Sequence, residues 1–192
     1  MSDQLIQRWL NDSDERAAEA LYQAHHARVF RLAYALLGDA GDAEEVMQDT
    51  MVYALTRTKL YDPQRASFTT WLHTITVSRC RDRKRRKRLP KTPLDDWTGS
   101  HGGMIDLASG PEGRAIAQES ERELWQALNQ LSPKLREAIV LRYWCGHTYQ
   151  EMAQILRCPL STAQSRVRVA YEQLRKLLAP AGVPALGREN LR

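Results

Sequence analysis

The sequence predicts an all-α protein: two small helical domains joined by a flexible linker, the C-terminal one containing a helix-turn-helix. Three observations predict it. Apolar residues recur at spacings of three and four along most of the 192 residues, as helix faces require. One central stretch, 90–113, loses that periodicity and holds 5 of the 10 glycines and 3 of the 8 prolines. No segment needs a strand. The expected division is a domain over 1–89, an acidic linker over 90–117, a second domain over 118–179 and a tail over 180–192.

In the first domain, Leu21, His25, Val29, Leu32, Ala33 and Leu36 share one helical face, and Gly38 stops that helix because glycine takes the left-handed conformation of a helix end. A second helix is expected to start at Asp42, with Asp42 and Glu45 as its capping pair and Ala43, Val46, Met47, Thr50 and Ala54 facing inward. Asp62 and Pro63 break it. A third follows Ser67, places Phe68, Trp71, Leu72 and Ile75 toward a core, and runs into the basic block 79–88. At that spacing Phe68 and Trp71 read as core rather than as stacking platforms.

Helical pattern resumes near Ile116, continues through Leu124, Leu128 and Leu131, breaks at Ser132 and Pro133, and returns with Leu135, Ile139 and Val140. Thr148 and Glu151 then form a capping box ahead of Met152, Ala153, Ile155 and Leu156. The turn Arg157, Cys158, Pro159 separates this short helix from one over 160–178, with proline in the first turn, where it is tolerated. A short helix, a tight turn and a second helix with a polar, basic open face read as a helix-turn-helix. Val167, Ala170 and Leu174 would face inward, while Ser161, Thr162, Gln164, Ser165, Arg166 and Arg168 are candidates for base edges and phosphates.

The net charge of +5 is a small difference of large local terms: −4 over 1–78, +8 over 79–91, −5 over 92–123 and +6 over 124–192. Separate surfaces with different partners follow from that alternation. A basic block beside helical pattern is a nucleic-acid footprint or a solvated charged face. The acidic linker has no evident role beyond keeping the two domains apart.

Two motif sets then point to one family. Leu131, Pro133, Arg136, Leu141, Arg142, Tyr149, Glu151, Ala153, Leu156, Thr162, Ser165, Arg166 and Ala170 stand, without a gap, in the pattern of the fourth conserved region of bacterial RNA polymerase sigma factors. Asp42, Ala43, Glu44, Glu45, Gln48 and Asp49, then Arg65, Ser67, Phe68, Trp71, Leu72, Ile75, Asp82 and Arg85, resemble the second region. Two domains and a short linker resemble the extracytoplasmic-function group.

The resemblance implies a non-enzymatic initiation factor that needs no cofactor and no metal. Core RNA polymerase would be bound through Asp42, Glu44, Glu45, Gln48 and Asp49, docked on the beta-prime clamp helices, with the second domain reaching the beta flap. Those acids also suit a helix start on dipole grounds alone. The minus-ten promoter element would be read as single strand by Lys59, Tyr61, Arg65, Trp71, Ser78, Arg79, Arg83 and Arg86, with a base flipped into the loop 60–67 and backbone phosphates held along the basic block, Arg81 included. The minus-thirty-five element would be read by Ser161, Thr162, Gln164, Ser165, Arg166 and Arg168. An anti-sigma partner is implied by family alone.

Several positions depart from the family pattern: Ser78 replaces asparagine, Met51 and Leu55 replace aromatics, Gln164 replaces lysine, and Val169 and Tyr171 replace arginine. Arg157 occupies the usual glycine of the turn, at a cost of about 1 kcal/mol if left-handed. The hydrophobic fraction of 43% is that of a globular protein, and no apolar run approaches a membrane span. With no signal-like N-terminus, a cytoplasmic location is expected. Cys80, Cys145 and Cys158 read as structural thiols; Cys145, His147 and Cys158 lack a fourth metal ligand. The rival readings are a polymerase-independent helix-turn-helix regulator and a nuclease, the latter without a catalytic motif.

Overall fold

The computed structural model describes residues 2–12, 14–88 and 122–178. The expected linker at 90–117 and the tail at 180–192 lie outside the described residues. Among those described, every regular element is a helix. In chain order they are α1 (Ser2–Asp12), α2 (Glu15–Leu37), α3 (Ala40–Thr56), a single 3-10 turn (Thr58–Leu60), α4 (Phe68–Arg88), α5 (122–130), α6 (Pro133–Ile139), a π-helical turn (Val140–Trp144), α7 (Tyr149–Leu156) and α8 (Leu160–Leu178).

Local chemistry sets most of the boundaries. Asp14 starts α2 by accepting from the backbone N–H groups of Arg16 and Ala17, and Gly38 ends it in the left-handed conformation at φ 76°. The cap of α3 differs from expectation. Asp39, not Asp42, is its N-cap, accepting from the Asp42 N–H at 2.8 Å, so α3 begins at Ala40 and the Asp42 carboxylate is released for another task. At the head of α4, Ser67 Oγ accepts from the Thr70 N–H.

Helix α1 is absent from the sequence reading, which began at Leu21. Among its described side chains Ile6 and Trp9 are buried, too few to raise a periodic signal, yet Trp9 is among the largest fully buried side chains. Trp9 packs edge-on against Phe68 and donates to the Leu55 carbonyl. Around it, α1–α4 close a core of Leu21, Val29, Met47, Met51, Phe68 and Leu72.

In the C-terminal unit the capping box of Thr148 and Glu151 forms as the pattern predicts. Val167, Ala170 and Leu174 are buried, also as expected. Arg157 is left-handed at φ 51°, so the turn bears the strain that its missing glycine would have avoided. Pro159 sits just before α8 rather than inside its first turn, its carbonyl accepting from the N–H groups of Thr162 and Ala163. Ahead of α7 the backbone widens by one residue: the Cys145 N–H reaches back five positions to the Val140 carbonyl. That turn and left-handed Gly146 aim His147 away from its own helices.

The two units are not held apart. Helix α4 packs on α7, and α2 packs on α6 and the π turn. Leu32, Leu36 and Val77 share one continuous core with Leu128, Leu141, Met152 and Val167.

Candidate nucleic-acid interface

The candidate residues fall on three surfaces. The first is the outer face of α3. Glu44, Glu45, Gln48 and Asp49 are exposed there, whereas Asp42 is buried. Gln48 donates to Glu44. Asp42 accepts from Arg83 at 2.8 Å and pairs with Lys87; Glu45 pairs with Arg83, and Asp49 with Arg79 at 3.7 Å. Burial pushes the Asp42 carboxyl up, but the bonds from Lys87 and Arg83 outweigh it and hold it below its ordinary value. Arg79, Arg83 and Lys87 stand four apart on α4, which is why one helix face meets the acids of its neighbour.

The second surface runs along α4 and the loop before it. Lys59, Arg65, Ser78 and Arg86 are exposed; Trp71, Arg79 and Arg83 are half-buried. Tyr61 is buried, its hydroxyl donating to the Ala66 carbonyl, and its ring lies 5.2 Å from Trp71 and 5.4 Å from Phe68. The structure thus brings Tyr61 and Trp71 together under the loop. It also confirms Phe68 as core, at 3% exposure.

On α8, the third surface, Ser161, Gln164, Ser165 and Arg168 are exposed while Thr162 and Arg166 are half-buried. Ser165 donates to the Thr162 carbonyl. Leu160 and Val169 add exposed apolar contacts on the same helix.

The seam between the units was invisible in the sequence. Arg81 donates to both carboxylate oxygens of buried Glu137, at 2.9 and 2.6 Å, and that bond raises the guanidinium above its ordinary value against the effect of burial. Arg136 donates to the Leu36 carbonyl. Thr70 donates to Glu151, whose other oxygen closes the α7 capping box. His73 Nδ1 and His147 Nε2 meet at 2.6 Å in a buried contact. A capping-box glutamate has one oxygen to spare, which is the only pattern that points toward the seam. No group of three or more histidine, cysteine or carboxylate side chains arranged for a metal ion occurs among the described residues.

An exposed acidic helix, a basic helix over buried Tyr61 and half-buried Trp71, and a helix-turn-helix define a two-unit helical protein with faces of opposite charge. Comparisons with known proteins sharpen that class. The sigma-70 region 2 family matches residues 21–89, and the sigma-70 region 4 family matches 121–174. The ECF RNA polymerase sigma factor SigE of Mycolicibacterium smegmatis is 31% identical, the alignment covering 89% of this chain and 71% of that protein. SigK of Mycobacterium ulcerans is 33% identical over 85% of this chain and 87% of the relative. Among solved structures, CnrH in complex with the cytosolic domain of CnrY has TM-score 0.67 at 22% identity, over 94% of this chain and 99% of that one. The sigma factor RpoE in complex with the anti-sigma factor NepR from Bartonella quintana gives 0.63 at 24%, over 84% and 96%. The chain belongs to the extracytoplasmic-function sigma factors of RNA polymerase. Its activity is promoter-directed transcription initiation.

Proposed function

We propose that this sigma factor binds core RNA polymerase through the exposed α3 side chains Glu44, Glu45, Gln48 and Asp49, against the clamp helices of beta-prime, with the C-terminal unit at the beta flap. Asp42 supports that surface from behind by anchoring α4 to α3. The minus-ten strand runs over the loop 60–67 and the open face of α4, where Lys59, Arg65, Ser78, Arg79 and Arg86 supply contacts, Arg83 remains shared with α3, and Trp71 backed by Tyr61 receives an unstacked base. The minus-thirty-five duplex is read by Ser161, Thr162, Gln164, Ser165, Arg166 and Arg168 of α8.

The protein acts without catalysis, in the cytoplasm, as the domain roles of residues 1–89 and 118–179 imply; no described helix is long and apolar enough to cross a membrane. Control by an anti-sigma partner is supported by the complexes named for its structural relatives. The observation that carries the reading is one chain presenting an acidic face, a basic aromatic-backed face and a helix-turn-helix in order. Reconstitution tests it: purified protein plus core polymerase should start transcription at a cognate promoter. Tight, sequence-specific duplex binding by the protein alone, without polymerase-dependent transcription, would establish a stand-alone regulator instead.

A further inference from the structure

Among the polar contacts that cross the seam between the two units are four hydrogen-bonded pairs, three of which involve no histidine. Arg81 pairs with Glu137, Arg136 donates to the Leu36 carbonyl and Thr70 donates to Glu151. The fourth is the contact of His73 on α4 with His147 on the loop leading into α7. At 2.6 Å one ring nitrogen must donate and the other accept, so at least one of the two imidazoles is neutral in this arrangement. Two imidazolium rings present only donors to each other and repel. We propose that the His73–His147 contact is an acid-released clasp: protonation of both rings in mildly acidic solution breaks it and lets the C-terminal unit swing off α4.

The surroundings favour the neutral pair. The rings lie edge to face at 4.9 Å and are 4% and 5% exposed. From α2, His25 and Arg28 add positive or potentially positive charge toward His73, and from the π turn Arg142 donates to the His147 carbonyl. Opposing them is a single anion, Glu151 of α7, 3.6 Å from His147 Nδ1 and already engaged by Thr70 and Thr148. Burial first, then the facing His147, depresses His73 to about 3; burial also lowers His147, against the pull of Glu151. A histidine whose pKa is depressed in the closed form stabilises that form above its open-form value, near 6.5, and withdraws the support as pH falls below it. Each pH unit below 6.5 should therefore shift the closed–open balance toward open by up to roughly tenfold per histidine.

The consequence for promoter reading rests on the function proposed above, but the clasp itself is read without DNA or polymerase. Small-angle scattering of the full chain between pH 7.5 and 5.0 should show a growing radius of gyration while circular dichroism holds its helical signal. In His73→Gln and His147→Gln, where glutamine keeps a donor and an acceptor that do not titrate, the expansion should weaken, and in the double variant it should vanish. If those variants misfold, a proton NMR titration of the wild-type imidazoles decides: both should take up protons over the pH range in which the radius grows. An unchanged radius down to pH 5.0, loss of helix in step with the expansion, the same expansion in the double variant, or imidazoles that titrate outside that range would each overturn the proposal.

Discussion

Asp42 carries a carboxylate that belongs to the acidic run of α3 by sequence and to the underside of that helix by structure. Its two partners, Arg83 and Lys87, are half-exposed, so the pair lies between the surface and buried limits. Asp42→Asn should cost about 1–2 kcal/mol of stability, read by urea unfolding at pH 7. Because the folded pKa lies below the ordinary 3.8, the stabilisation is present above that value and lost as pH falls through the folded one. The gap between wild type and variant should therefore close as pH falls below 3.8. Glu44 gives the contrasting case: exposed and bonded only to Gln48, its replacement by lysine should leave stability within about 0.5 kcal/mol while weakening core polymerase binding in a pull-down titration. At residue 157 the left-handed backbone sets a third expectation: Arg157→Gly should stabilise the protein by up to about 1 kcal/mol in thermal unfolding.

Among the elements, α7 is the shortest of the described α-helices after α6 and the one most dependent on its cap. Thr148→Ala removes the acceptor for the Glu151 N–H and frees the Glu151 carboxylate that also holds Thr70, so a loss of about 1–2 kcal/mol is expected by denaturant titration. That capping box, the stop at Gly38, the inward face of α8 and the strained Arg157 were all legible in the sequence, because each depends on residues within four positions of one another. Three features were not. Helix α1 offers two buried side chains among those described; the α3 start turns on which of two nearby aspartates reaches back; and the π turn is a one-residue slip with no composition of its own. Of the candidate site residues, the helix-turn-helix set emerges exposed or half-exposed as a recognition helix needs. Asp42 and Tyr61 are instead turned inward by partners that lie far off in sequence or across a loop.

Over the whole molecule, the seam decides what the separate readings could not. The linker's acidity had suggested two domains kept apart, yet a continuous core joins them, and its polar bonds link residues 56 to 100 positions distant, beyond the reach of periodicity. A double-mutant cycle at Arg81 and Glu137 should return a coupling of about 1–2 kcal/mol, reduced from a fully buried pair because Arg81 is 40% exposed.

The ladder of Arg79, Arg83 and Lys87 against Asp49, Glu45 and Asp42 also bears on how the protein responds to salt. Eight cations lie between residues 79 and 88, and a strand binding eight free cations would expel a matching set of condensed counterions. Five of these cations already carry internal counterions: Arg79, Arg83 and Lys87 on α3, Arg81 on Glu137 and Arg85 on Asp82. A phosphate that takes one of them displaces a carboxylate, of α3 in the case of Arg79, Arg83 and Lys87, which stays tethered and contributes no released ion. The logarithmic salt slope for single-strand binding should then be shallower by up to about 3.5, at roughly 0.7 per phosphate, than the charge count implies. The displaced α3 carboxylates would be left bare on the face proposed for the polymerase, so that DNA on one helix sharpens the negative charge that its neighbour presents.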